Sequence, residues 1–188
     1  MWPWEHLAVG YLWYSVAVKL AGERSPTNAE AITLLFATQF PDLVDKPLSW
    51  VLNVLPSGLS LAHSLFFAAP AVAVVLALSH RLNATPVGLA FGLGYATHLL
   101  GDVAYPFLLG RPLIPKFLLW PIYSQEANVT NAITQVIDLT TTFVNFLGTP
   151  TGQLYIVFEA ILMVSFLVRW LFDGRPGWPY RGYRINQN

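Results

Sequence analysis

The stretch GYATHLLGDV, residues Gly94 to Val103, determines how the rest of the chain is interpreted. It lies inside an apolar run, 86–109, in which His98 and Asp102 are the only histidine or charged side chains. On an α-helix, residues four apart share one face, with their Cβ atoms about 6 Å apart. A carboxylate in apolar surroundings needs a compensating partner, and a cation shared with the imidazole would be one. The pair therefore predicts a cation site whose other ligands come from elsewhere in the chain.

Composition places the chain among membrane proteins. It has 188 residues, of which 55% are hydrophobic and 11% are charged, whereas soluble domains carry about 25% charged residues. The formal net charge is zero, which argues against a nucleic-acid partner. Cysteine is absent, so disulfides and thiolate metal sites are excluded. We expect one integral-membrane domain over residues 1–188, located in the cell (plasma or inner) membrane, with membrane lipid as a partner.

Five apolar segments predict helices, at about residues 6–22, 29–40, 61–79, 86–109 and 153–172. The second is short for a full span of about 20 residues. Apolar positions at helical spacing in the connection before residue 150 predict an amphipathic interfacial helix. The predicted fold class is all-α, a polytopic (multi-pass) bundle of four to five apolar helices plus that surface helix. Residues 1–122 would carry the metal-site helices, 123–150 the amphipathic segment, and 151–188 the last helix and a basic tail.

Charge orients the predicted path if the segments cross the membrane alternately. Seven basic residues then lie on one side and three on the other. They are Lys19, Arg24, Arg81, Arg169, Arg175, Arg181 and Arg184 against Lys46, Arg111 and Lys116. Because basic residues concentrate in cytoplasmic loops, this predicts a cytoplasmic C-terminus.

The same alternation collects six imidazole and carboxylate side chains at the non-cytoplasmic helix ends. They are His6, Asp42, Asp45, His63, His98 and Asp102. Mixed His/Asp ligation suits a divalent ion, zinc above all, with manganese or ferrous iron as alternatives. The His98–Asp102 pair would hold the ion, with Asp42 and His63 closing the shell. Such an ion activates water, and Asp45 or Asp42 would be the catalytic carboxylate that takes the proton.

Short motifs in this part of the chain carry a family resemblance. An early histidine is followed by PDLVD (41–45), LAHSLFF (61–67), GYATHLLGD (94–102) and LLWPI (118–122). In this order they resemble the YdjM-like family of membrane-bound metal-dependent hydrolases, over about residues 1–122. The resemblance implies hydrolysis at a metal centre and leaves the substrate open.

The order of the ligands is also similar to part of the site of zinc-dependent phospholipase C. Carried over by position, that similarity implies His6, Asp42, His63, His98 and Asp102 as metal ligands. No histidine follows His98, so the later pair that completes a three-metal cluster is missing. One or two ions are therefore expected.

Three functions fit these observations. The first is a metal-dependent hydrolase acting on an amphipathic small molecule, a phosphoester or a lipid. The second is a non-catalytic membrane scaffold or ion-handling protein, in which the imidazoles and acids form a hydrogen-bonded cluster. The third is a haem electron carrier with His63 and His98 as axial ligands, which leaves the two aspartates unexplained.

Overall fold

The computed structural model describes residues 1–22, 24–113, 115–124 and 131–178. These residues form helices joined by short connections, so the all-α class is confirmed. The α-helices are α1 (Pro3–Gly22), α2 (Asn28–Ala37), α3 (Phe40–Lys46), α4 (Leu65–Arg81), α5 (Thr85–Leu108), α6 (Ala132–Leu147) and α7 (Pro150–Phe172). A π-helical turn at Pro47–Val51 follows α3, and a 3₁₀ turn at Pro115–Leu119 follows α5.

The start of α2 follows from a local sequence signal. Thr27 accepts a hydrogen bond from the backbone N–H of Glu30, and the Glu30 carboxylate accepts one from the backbone N–H of Thr27. This reciprocal capping box satisfies two backbone donors that the first helical turn leaves open. Both terminal guanidinium nitrogens of Arg24, Nη1 and Nη2, also donate to the buried Glu30 carboxylate. The helix end is therefore tied to the connection that leads from α1.

Helix α5 is the centre of the bundle, because α1, α2 and α4 all pack against it. Its buried residues Phe91, Tyr95 and Leu99 share a core cluster with Ala37 of α2. At Gly94 an added Cβ would lie 2.9 Å from the Cβ of Ala37, so the missing side chain lets α2 and α5 approach closely. This close packing brings the end of α2 against the half of α5 that carries the polar pair.

The prediction of four to five membrane-crossing helices is wrong. Among the described residues, α7 is the one helix both long and apolar enough to cross a membrane. The ten residues of α2 rise only about 15 Å, half of a hydrocarbon core of about 30 Å. The apolar α4 has 17 residues. Helices α1 and α5 are longer, but acidic, imidazole, tyrosine and glycine residues interrupt their apolar stretches.

The physical reason is that apolar residues serve a protein core as well as a lipid environment. On α5 one apolar stripe, which includes Phe91, Tyr95 and Leu99, is buried against neighbouring helices, whereas only 11% of the apolar window of α7 is buried. The assumed alternation of crossings also loses its support. The predicted non-cytoplasmic site and cytoplasmic C-terminus depended on that alternation and stay predictions.

The predicted amphipathic helix is present as α6, which packs on α7. Its apolar residues Ile133, Val136 and Ile137 are exposed, as expected for a surface helix. Of the predicted basic tail, residues 179–188, with Arg181 and Arg184, lie outside the described part of the chain.

Candidate metal centre

Four side chains from three parts of the chain direct one ligand atom each to a common point. Asp42, His63, His98 and Asp102 each offer an atom, and these atoms all lie within 4.8 Å of one another. The two imidazoles are fully buried, and the two carboxylate side chains are 10% and 8% exposed. The His-x-x-x-Asp spacing on α5 therefore does place an imidazole and a carboxylate at one point, as the sequence predicted.

The other two ligands reach this point from α3 and from the turn before α4. Pro41 lies in the first turn of α3, a position that proline tolerates, and Asp42 follows it. His63 does not open the third apolar helix as expected. It lies in a turn two residues before Leu65, and Ser64 caps the helix by accepting from the backbone N–H of Phe66.

Each imidazole of the group is oriented by a hydrogen bond at the ring nitrogen that points away from the common point. The Nδ1 atom of His98 lies 2.6 Å from the backbone carbonyl oxygen of Thr38. Because a carbonyl only accepts, this Nδ1 carries the proton. The Nδ1 atom of His63 lies 2.8 Å from a carboxylate oxygen of Asp45. A carboxylate or carbonyl behind a metal-binding histidine fixes its tautomer and its ring orientation. Both Nε2 atoms are thereby directed to the common point.

The separations between the ligand atoms fit a tetrahedral ion. The two Nε2 atoms are 3.1 Å apart, and each lies 3.3 Å from Oδ2 of Asp102. Oδ1 of Asp42 is farther, 3.5 Å from the nitrogen of His63 and 3.9 Å from that of His98. A tetrahedral zinc ion with bonds of about 2.0–2.1 Å holds its ligand atoms about 3.3–3.4 Å apart. The residues present therefore fit a zinc-sized cation.

The charge balance of the cluster also calls for a positive charge at this point. Burial alone would lower the pKa of His63, but the carboxylates of Asp102, Asp42 and Asp45 raise it to about 10. Burial alone would raise the pKa of Asp42, but His63 and Lys46 outweigh it and lower the pKa below its usual range. The carboxylates around His63 thus favour a positive charge at this point, for which a metal ion would compete with a proton.

His6 lies beside the four-residue group without belonging to it. Its ring stacks on His98 with centroids 3.8 Å apart, and its Nε2 lies 3.2 Å from Oδ1 of Asp102. Neither ring nitrogen of this buried side chain has a well-directed hydrogen bond to the described residues. Asp102 therefore presents Oδ2 to the four-residue group, whereas Oδ1 faces His6 and accepts from the N-terminal ammonium of Met1 at 2.6 Å. The role of His6 as a metal ligand, which the resemblance implied, stays a prediction.

Asp45 lies behind His63, away from the common point. Its carboxylate accepts hydrogen bonds from the backbone N–H groups of Ser60, Ala62 and His63, in addition to the His63 ring. The residue is fully buried. Both oxygens are thus occupied by the turn that carries His63, which suits a positioning residue. The predicted proton-accepting role of Asp45 is untested.

Sequence reasoning missed the part played by Lys46. Its ammonium lies 2.5 Å from Oδ2 of Asp42 and over the ring of Trp50. The side chain is 30% exposed, whereas the neighbouring ligands are almost fully buried. Lys46 therefore marks the solvent-facing edge of the cluster. The i,i+4 spacing of Asp42 and Lys46 on one helix was a usable signal.

Comparison with known proteins identifies the family of the chain. The model of the YdjM inner membrane protein family matches residues 1–175, so the chain belongs to that family. The family supports the predicted membrane localisation. The match shows neither a hydrolase activity for this chain nor a similarity to phospholipase C. No curated protein and no solved structure matches the chain.

Proposed function

We propose that this member of the YdjM family is a metal-dependent hydrolase with a zinc-type centre at Asp42, His63, His98 and Asp102. The observation that carries the proposal is the convergence of these four ligand atoms at near-tetrahedral separations. Two oriented imidazoles and a carboxylate match the His/His/acid ligand sets of catalytic zinc sites.

Three of the four ligand atoms lie close to one another, and the Asp42 oxygen lies farther from them. His63, His98 and Asp102 are mutually within 3.3 Å, whereas the Asp42 oxygen is up to 3.9 Å from the imidazoles. Catalytic zinc sites use three protein ligands and leave the fourth position open, whereas structural sites are closed by four. We assign the first three residues to metal binding and Asp42 to the fourth, adjustable position.

Asp42 is suited to hold the water that attacks the substrate. A bound divalent cation would supply Lewis acidity and lower the pKa of water toward about 7. Lys46 occupies Oδ2 of Asp42, so Oδ1 faces the cluster and can accept a hydrogen bond from water. The lowered pKa of Asp42 keeps it ionised, and hence an acceptor, at neutral pH.

Lys46 suggests that the substrate carries a negative charge. Its partly exposed ammonium stands next to Asp42 at the edge of an otherwise buried site. A phosphate or carboxylate oxygen approaching from solvent would meet this ammonium before it met the ligands. Together with the membrane family, this favours an amphipathic phosphoester, such as a phospholipid, over an uncharged substrate.

The test begins with elemental analysis of the full chain purified without added metal. We expect about one equivalent of a divalent metal such as zinc. We also expect turnover of phosphoester lipids that stops when the metal is chelated and returns when zinc is added. Asp42→Asn should retain the metal and lose about 10²-fold or more in kcat, the usual contribution of such a group. Lys46→Met should mainly raise KM for an anionic substrate, and Lys46→Arg should restore part of it.

One alternative has a specific observation in its favour. The four ligands are almost entirely buried and lie on α3, on α5 and in the turn before α4, so an ion there would tie these elements together as a structural site. Stoichiometric metal whose removal lowers the melting temperature, without turnover of any phosphoester, would favour this role. A haem between His63 and His98 does not fit, because their Nε2 atoms are 3.1 Å apart and leave no room for a porphyrin.

A further inference from the structure

The connection between α3 and the turn that carries His63 is apolar and exposed. It comprises residues 47–60, PLSWVLNVLPSGLS, which contain no charged side chain. Its residues Val51, Leu52 and Val54 are 64%, 61% and 68% exposed. Contiguous exposed apolar side chains mark a surface that contacts a partner or a membrane. This segment, the apolar loop, is therefore a contact surface without a partner in the described part of the chain.

The apolar loop is held in place by its own backbone and by Trp50. The backbone N–H of Val54 donates to the carbonyl oxygen of Leu48. At Gly58 an added Cβ would lie 3.2 Å from Nε1 of Trp50 and 3.3 Å from Cγ of Lys46. The missing side chain therefore lets the returning chain pack on the indole and on the lysine at the open edge of the metal cluster.

The far end of the apolar loop is anchored to the cluster itself. The carboxylate of Asp45 accepts from the backbone N–H groups of Ser60 and Ala62. The same carboxylate lies 2.8 Å from Nδ1 of His63. Because one side chain both orients this imidazole and holds the loop, the exposed apolar side chains have a fixed position relative to the metal ligands.

Tryptophans surround the same end of the bundle. The residue next to Trp2, Met1, binds Asp102 through its ammonium, and the ring of Trp4 stacks on that of Trp2. The ammonium of Lys46 lies 5.6 Å from the ring centre of Trp50. The carbonyl oxygen of Trp120 accepts from the hydroxyl of Ser64, which follows His63. Tryptophan concentrates where lipid meets water, and lysine extends its ammonium toward the headgroups from the same level.

The apolar loop also continues the surface of α7, the helix suited to cross a membrane. Helix α6 packs on α7 and contacts the turn 47–51 of the loop. Ile133, Val136 and Ile137 of α6 are exposed, and the ring of Trp2 packs edge-on against Phe143 of the same helix. Exposed apolar side chains thus lead from the candidate membrane span over α6 to the edge of the metal cluster.

We propose that the apolar loop docks into the lipid bilayer, with Val51, Leu52 and Val54 among the acyl chains and Trp50 and Lys46 at the level of the headgroup phosphates. The docking itself does not depend on hydrolysis. Its consequence for the substrate rests on the proposed function: the phosphoester is a lipid still seated in the bilayer, which reaches the cluster past Lys46 without passing through water.

Single-cysteine spin labelling tests the docking, because the chain has no cysteine of its own. Leu52→Cys and Val54→Cys are labelled in the full chain and reconstituted in vesicles of phosphatidylcholine and phosphatidylglycerol. We expect both labels to collide more with oxygen, which concentrates among acyl chains, than with a neutral nickel chelate, which stays in water. Asp138→Cys, at an exposed acidic position of α6, is the control and should favour the chelate.

Two results would overturn the docking. One is a preference for the chelate at both loop positions, as at Asp138, because the loop would then lie in water. The other is protection from both reagents with spin–spin broadening that disappears on dilution with unlabelled chain, because a second copy would then cover the loop.

Turnover tests the consequence for the substrate separately. Leu52→Ser with Val54→Ser should lower turnover of an anionic phospholipid in vesicles by about tenfold or more, since burial of one leucine is worth at least that. Turnover of a soluble short-chain analogue with the same headgroup should be unchanged. Leu82→Ser, at the other end of α4 and 77% exposed, is the matched control and should keep both activities.

The turnover outcomes separate the two proposals. Undiminished turnover of vesicle lipid by the double variant would overturn the supply of substrate from the bilayer. Absence of turnover in every variant and in the unaltered chain would refute the proposed function and this route for its substrate, whereas the spin labels decide the docking on their own.

Discussion

The two halves of α5 differ in what they place at the centre of the bundle. The first half, around Leu89 and Gly92, forms the floor of an open apolar groove. The second half carries His98 and Asp102, two members of an almost fully buried polar cluster that could hold a metal ion. One helix thus supports an adaptable apolar surface at one end and a closely fixed polar site at the other.

The difference shows how burial changes the demands on a residue. A side chain in the groove has apolar neighbours or an open side, and a change there alters only how well the space is filled. His98 has a defined partner at each ring nitrogen, so its orientation depends on the backbone of Thr38 as well as on the cluster. Buried polar groups that lose a partner destabilise the structure strongly, because no water replaces that partner.

Removing a metal ligand should have the largest effect of the variants considered. If it did not, the contrast between the apolar and the polar half of α5 would be wrong. His98→Ala or Asp102→Ala should lower metal affinity by more than about 100-fold. This is a larger loss than mutation of a side chain that only hydrogen-bonds a ligand typically causes. The measurement is metal content after dialysis against a weak chelator. His80→Ala is the control, because His80 lies at the exposed end of α4 and bonds only the Thr85 hydroxyl among the described residues. Full metal retention by both ligand variants would refute the centre.

Altering the support behind His63 should have an intermediate effect. Asp45→Asn keeps the size of the side chain but replaces one carboxylate oxygen by an amide. Loss of a carboxylate behind a metal-binding histidine weakens metal binding by about 10–100-fold. Competition with a chromophoric chelator measures the affinity, and Asp138→Asn on α6 serves as the control. If Asp45→Asn bound metal normally but lost turnover, the proton-accepting role would replace the positioning role.

The smallest effects should come from two glycines that separate the halves of α5. Gly94→Ala would bring a methyl group to 2.9 Å from the Cβ of Ala37, and such overpacking typically lowers the free energy of unfolding by about 1–3 kcal/mol. Gly92→Ala should be close to neutral, because its nearest neighbour is a side-chain methyl at the open groove and alanine favours the helix. Thermal unfolding of the two variants measures the difference. Equal melting temperatures of the two variants would show that α5 is packed equally tightly at Gly92 and at Gly94.

Several elements could be predicted from the sequence because their signals are local. The helix starts follow from capping residues such as Thr27 and Glu30, and the His98–Asp102 pair follows from helical spacing. The six polar residues around the site were also identified. The number of membrane spans could not be obtained this way, because an apolar run has the same composition whether it faces lipid or packs in a core.

The role of each polar residue could not be predicted from the sequence either. Asp42 and Asp45 are three positions apart, and nothing local tells which one faces the cluster and which one holds the turn behind His63. Their separation depends on how α3 meets that turn. Lys46 illustrates the same point, since the sequence shows its charge and the structure shows that it stands at the exposed edge of the site.

The sequence alone determined that the chain is helical and apolar, and that imidazole and carboxylate groups occur where an unpaired charge would be unfavourable. Composition and periodicity suffice for this because they act within a few turns of one helix. Only the tertiary structure decided that Asp42, His63, His98 and Asp102 meet, that His6 stands beside them, and that a groove lies at the opposite end of α5. Those relations depend on close packing between helices distant in sequence, which short-range patterns do not specify.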